Sequence, residues 1–236
     1  MSEWALKRFW KAAEVVPEAE GYTVTLDGRG VRTPAKARLV VPTEALARAI
    51  AAEWQAQDQR VDPSTMPFTR MANSALDKVI PQHAEVADML ADYGDSDLLC
   101  YRATAPAALV DRQCAAWDPL LDWAATVHGA RLLPVAGVMH RPQDPGALAR
   151  LSQAVHAQSA FQLAAFHDLV SMSGSLVIAL AVMQGARTAE EGWALSRIDE
   201  SWQAEQWGAD EEAEEVAERK RLEFLHAAVF HEMASG

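Results

Sequence analysis

The sequence predicts an α+β protein. A small antiparallel β-sheet N-terminal domain with a covering helix spans residues 1–80, and an all-α helical-bundle C-terminal domain follows over 81–236. Three observations predict this division. β-forming residues and turn dipeptides crowd the first forty positions. After Pro42 the apolar pattern changes from strand-like alternation to helical spacing. Beyond Pro81 almost every segment is alanine-rich and reads as helix.

Tyr22-Thr23-Val24-Thr25-Leu26 alternates as a strand and ends at Asp27-Gly28, a tight hairpin dipeptide. Val31-Arg32-Thr33 follows at hairpin distance, and Arg38-Leu39-Val40-Val41 is a further short strand. Phe9-Trp10 and Val15-Val16 suggest earlier strands. Thr43 is the expected N-cap of a helix whose Leu46, Ile50 and Trp54 share one face, and that helix should cover the sheet. Residues 61–67, with two prolines, form a loop. A second helix over 69–80 is expected to stop at Pro81.

The remaining helices are expected over 83–93, 107–128, 145–157, 160–184, 188–207 and 210–233. Trp117–Trp123 reads as a packed helix start with Pro119 in its first turn. The 160–184 stretch is apolar around its circumference, which places it at the centre of a bundle. Gly174 within it costs about 1 kcal/mol against alanine, and its expected use is close approach of a neighbouring helix.

Half of the 236 residues are hydrophobic, and eight are tryptophan, enough to build a core. Lys and Arg total 21 against 33 Asp and Glu, a net charge of −12. That balance opposes binding to nucleic acid or to an anionic membrane, both of which need clustered cations. Two cysteines, Cys100 and Cys114, fit a reducing compartment or an absence of structural disulfides. Met1-Ser2-Glu3-Trp4 lacks the basic start of a signal peptide, and the apolar run 176–183 falls far short of the roughly 20 residues of a membrane span. The bacterial cytoplasm is the expected location.

Chemical motifs are scarce. Neither H-E-x-x-H nor C-x-x-C occurs, so no metal is expected. Gly28-Arg29-Gly30 lacks the third glycine and the helix of a dinucleotide fingerprint, and a hairpin explains it better. Ser171–Ser175 has no nucleophile elbow, and no P-loop is present. No cofactor is expected. The alternative to a binding protein is a helical-bundle enzyme using His167-Asp168 and a distant carboxylate as acid and base. A third reading is a permanent structural subunit.

The 188–207 segment is more informative. On a helical wheel Leu195, Ile198 and Trp202 form one apolar stripe with Glu205 beside it. Trp193, Ala204 and Trp207 form another on nearly the opposite side, with Glu200 inside it. A helix apolar on two faces packs twice, and indoles framed by carboxylates suit a protein partner.

Several stretches carry a family resemblance. They are Arg8-Phe9-Trp10-Lys11, Leu26–Pro34, Ala52-Glu53-Trp54, Thr65-Met66-Pro67-Phe68-Thr69, Asp97–Arg102, Ser175–Ala181 and Asp199–Gly208. In order along nearly the whole chain, they resemble the assembly chaperones of mitochondria and α-proteobacteria that bind the α subunit of the F-type ATP synthase. The resemblance implies a β-containing first domain, a helical second domain and a non-enzymatic role, shielding the α-subunit surface that later meets the β subunit. It also implies that Glu200, Trp202, Glu205 and Trp207 contact the client. Trp54, an indole on the helix that packs against the sheet, reads as structural, and the free protein is expected to be monomeric. Two departures stand out: no mitochondrial presequence is seen, and the Asp210–Glu215 run is denser than in mitochondrial relatives.

Overall fold

The computed structural model describes residues 7–208 and 210–235; the leader reading of Met1–Trp4 lies outside them. The chain forms an α+β structure of two compact units. The first holds the described residues up to His83 together with Ser159–Ala165 and 229–235, and the second holds Ala84–Gln158 and Phe166–Ala228.

In the first unit β2 (Gly21–Leu26) is central. It pairs antiparallel with β1 (Ala13–Glu18) on one side and with β3 (Arg29–Gly30) and β4 (Val40–Val41). Asp27 and Gly28 have φ of 48° and 80°, the two positive values that a two-residue hairpin of this twist needs. The Asp27 carboxylate accepts hydrogen bonds from the backbone N–H groups of Lys11 and Ala12 at 3.0–3.1 Å, which hold it below the usual carboxylate range. Pro17 sits in edge strand β1, where a missing donor does least harm. Phe9 and Trp10 form no strand; Phe9 is exposed and Trp10 is buried in the core.

Helix α1 (Glu44–Gln55) starts as expected, with the Thr43 hydroxyl accepting from the Leu46 N–H at 3.2 Å. Its Leu46, Ala47, Ile50 and Ala51 enter the same core as Val24 and Leu26 of the sheet. Trp54 packs edge-on against Trp10 with ring centroids 5.3 Å apart. The carboxylate of Glu53 accepts from the N–H groups of Phe68 and Thr69 at 2.7 and 2.8 Å, fastening the start of α2 (Pro67–Ser74). Pro81 does not end the helical path. A wider π turn over Ala75–Val79 and a 3-10 turn over Ile80–Gln82 lead straight into α3 (His83–Ala91). The loosened turn accommodates a ring that cannot donate to the ladder.

In the second unit two short parallel strands, β5 (Tyr101–Arg102) and β6 (Val135–Ala136), interrupt the helices, a pairing too brief to show in the sequence pattern. Helix α4 (Ala107–Val127) begins well before Trp117, so Pro119 lies in its interior and not in a first turn. Then come α5 (Pro145–His156), α6 (Ala160–Ser173), α7 (Leu176–Met183), α8 (Ala189–Ser196), α9 (Ile198–Trp207) and α10 (Glu211–Ser235). Helices α6 and α10 each contribute residues to both units.

The single helix expected over 160–184 is two. Gly174 has φ +69° and ends α6, and the Ser175 hydroxyl caps α7 by accepting from Ile178 at 3.0 Å. Gly174 is therefore needed for its backbone angle; a Cβ there would meet only Leu98, at 3.9 Å. The close approach lies instead at Gly192 of α8, where a Cβ would fall 2.5 Å from Val182 of α7. The stretch Leu176–Ala181 is buried residue by residue, as an all-apolar helix demands. The first half of that predicted helix is not, since His167 and Ser171 of α6 face outward. At the start of α7 the fully buried Asp97 carboxylate accepts from the Ser175 hydroxyl at 2.7 Å and from the Val177 and Leu99 N–H groups at 3.0 Å. Burial pushes its pKa up to about 6, against the pull of these donors. Among the described residues no helix is long and apolar enough to cross a membrane.

Candidate functional site

The two-faced helix of residues 188–207 breaks at Arg197, whose φ and ψ are −112° and 18°. An uninterrupted helix would direct the Asp199 N–H to the Leu195 carbonyl. That carbonyl instead accepts from the indole Nε1–H of Trp117 at 2.9 Å, and α9 restarts with Ser201 N–H on the Arg197 carbonyl at 2.8 Å. The break separates the two indoles that the wheel had placed on one stripe. Trp193 of α8 is 8% exposed, and Trp207 at the end of α9 is 79% exposed. Gly208, with φ +91°, terminates the helix just beyond.

Both glutamates are exposed and both are paired. Glu200 takes Arg197 at 2.6 Å along its own helix. Glu205 takes both Nη atoms of Arg112 from α4, at 2.7 and 2.8 Å, and this guanidinium holds it below the usual carboxylate range. The same Arg112 lies 6.0 Å from the centroid of Trp202.

Trp202 and Trp207 line a common cleft of about 400 Å³, whose other walls are the 101–106 segment, the start of α4 and Val138. Glu200 and Glu205 do not line it. Asp199, Trp202, Gln203 and Trp207 do, and at spacings of three, four and eight residues they form one stripe of α9 with a glutamate on either flank. Asp199 and Gln203 escaped the sequence reading because the wheel carried only the apolar residues and the two glutamates; the i, i+4, i+8 run Asp199–Gln203–Trp207 was the available signal. Val138 was also missed, since a lone valine in a polar loop signals nothing.

The loop opposite α9 is fastened at its base. The side-chain amide of Gln143 both accepts from and donates to the Leu133 backbone, at 2.8 and 3.0 Å, and its own N–H donates to Asp95 at 2.7 Å. The Tyr101 hydroxyl meets His140 Nδ1 at 3.1 Å. This clamped loop holds Val138 and Met139 out at 89% and 79% exposure. His167 and Asp168, the acid–base pair of the alternative reading, touch at 3.0 Å as sequence neighbours on the half-exposed face of α6. Among the described residues no group of three or more His, Cys, Asp or Glu is placed to hold a metal ion.

A protruding indole beside a clamped apolar loop, with the flanking carboxylates matched by arginines, is a composition that suits a protein partner. Fold and surface together define a candidate α+β binding protein. The family model described as ATP12 chaperone protein matches residues 7–125, and the chain belongs to that family of ATP synthase assembly chaperones. It is similar to the crystal structure of Atp12 from Paracoccus denitrificans, with 50% identity, a TM-score of 0.94 and coverage of 97% of this chain and 98% of that one. A mutant of the P. denitrificans protein superposes equally well, at the same identity and TM-score over 97% of each chain. The mitochondrial protein atp12 of Schizosaccharomyces pombe is 26% identical over 224 residues, which is 90% of this chain and 77% of that protein.

Proposed function

We propose that this protein binds the free α subunit of the F-type ATP synthase and covers the hydrophobic surface that will meet the β subunit, releasing it as the catalytic head assembles. The observation that carries this reading is the pair of exposed apolar side chains, Trp207 and Val138, that line the α9 cleft, with the exposed Met139 next to Val138 in sequence. An unassembled subunit with a bare interface aggregates through just such apolar surface, and a chaperone that masks it competes with aggregation. Trp202 and Trp207 supply the apolar contact, and Glu200 and Glu205, each already matched by an arginine, form its polar rim. The action is binding and not catalysis, and the likeness to Paracoccus proteins supports a bacterial cytoplasmic setting.

Co-expression tests it. The α subunit produced alone is expected in the insoluble fraction and, with this protein, in the soluble fraction as a complex. Equal solubility with and without it would remove the α subunit as the client.

A further inference from the structure

Helix α9 carries three carboxylates, Asp199, Glu200 and Glu205, and the structure treats them differently. Glu200 and Glu205 are matched by Arg197 and Arg112. Asp199 forms no ion pair among the described residues; one of its oxygens accepts from the neutral side-chain amide of Gln113 at 2.6 Å. It is half-buried and lines the cleft. A partly desolvated carboxylate without countercharge is unfavourable, and a cation entering from outside relieves it.

Arg102, the other charged residue of the lining, is not that countercharge. It is 6% exposed, its Nη2 lies 2.8 Å from Asp118, and its guanidinium stands 5.3 Å from the Trp117 centroid.

Helix α9 itself displays the arrangement that would satisfy Asp199. Arg112 grips Glu205 with two parallel hydrogen bonds while lying over the Trp202 indole. A guanidinium is planar, forks onto a carboxylate and stacks on an aromatic ring; an ammonium does neither so well. Within the cleft, Asp199 with Trp202 and Trp207 repeats the carboxylate–indole set, and the guanidinium is missing.

We propose that the cleft receives an arginine side chain of the client, its guanidinium on the Asp199 carboxylate and between the indoles of Trp202 and Trp207. Pro106, Leu109 and Val138 flank its aliphatic stem. The inference rests on reading α9 as the client-facing surface, and it names the chemistry recognised there.

The test uses N-acetyl-arginine amide as probe and the indole N–H resonances of Trp202 and Trp207, assigned by Trp→Phe substitution, as readout. Titration into the full chain is expected to shift both resonances saturably. The shifts should be absent with the uncharged citrulline analogue, and the Asp199→Asn variant should bind about tenfold more weakly, as losing a charge-assisted contact implies. Asn keeps an oxygen for the Gln113 bond, so this variant retains the fold. Unmoved indoles, equal response to citrulline, or equal affinity in Asp199→Asn each overturn the arginine site. The co-expression experiment reports on the client separately. Solubilised α subunit with silent indoles removes the arginine and keeps the client; shifted indoles with insoluble α subunit do the reverse.

Discussion

Arg112 and Glu205 stand 93 residues apart in the chain and join α4 to α9 by two hydrogen bonds of 2.7 and 2.8 Å. This pair turns one flank of α9 toward the second unit's own helices and leaves Trp207 outside. On the proposed function, client binding and stability therefore fall to different indoles, the exposed Trp207 and the buried Trp193.

Trp207→Ala should leave the urea-unfolding midpoint close to wild type and abolish α-subunit capture. Trp193→Ala should do the opposite, leaving capture by the folded protein intact while costing about 3–5 kcal/mol of stability, because it empties a buried site packed against Phe224. A pull-down with purified α subunit alongside urea curves separates the two effects. Loss of stability on removing Trp207 would show that its exposure is not maintained in solution.

Glu200→Lys should weaken α-subunit capture while the circular dichroism spectrum and melting temperature stay near wild type. The side chain is exposed, and its ion pair with Arg197 lies within the helix, so little of the fold depends on it. A large fall in melting temperature would reassign Glu200 to structure.

Two glycines should fail for different reasons. Gly174→Ala should cost about 1 kcal/mol, the penalty of a side chain at positive φ with open space around it. Gly192→Ala should cost about 1–3 kcal/mol, because its methyl group would overlap Val182 of α7. Gly174→Asn should recover part of the first loss, since asparagine tolerates that backbone angle. The comparison is made by urea denaturation.

Two buried groups give opposite pH dependences. Burial lowers His231 from 6.5 to about 4, so the unfolded chain binds the proton more readily and stability falls as pH drops from 6.5 towards 4. Burial raises Asp97 from 3.8 to about 6, so the folded state holds the proton and this group's contribution falls as pH rises from 4 towards 6. His231→Leu should therefore remove about one proton of positive slope, about 1.4 kcal/mol per pH unit, from stability measured between pH 4 and 6. Asp97→Asn should shift that slope the other way.

What the sequence made legible was local. Asp27-Gly28 sets its hairpin by its own backbone angles, and Thr43 caps α1 from three residues away. The α+β class and the helical second half follow from such signals. The break at Arg197 was not legible, because it depends on an indole 78 residues earlier occupying the Leu195 carbonyl. The close approach expected at Gly174 was likewise misplaced: it lies at Gly192, where it depends on Val182 of the preceding helix. The candidate site was half legible: Trp202 and Trp207 could be found by composition, whereas Asp199 became distinct only once Arg112 and Arg197 were seen to serve its neighbours. Several family-like stretches prove to be mutual hydrogen-bond partners, Glu53 with Phe68 and Thr69, and Asp97 with Ser175 and Val177.

The core beneath the N-terminal sheet includes Ala165, Phe230 and Ala234, and the Thr43 hydroxyl donates to the Met233 carbonyl. During translation the strands leave the ribosome first, yet their hydrophobic underside cannot be closed until the last helix has been made. The newborn chaperone thus shares, for the length of its own synthesis, the predicament of the subunits its family protects.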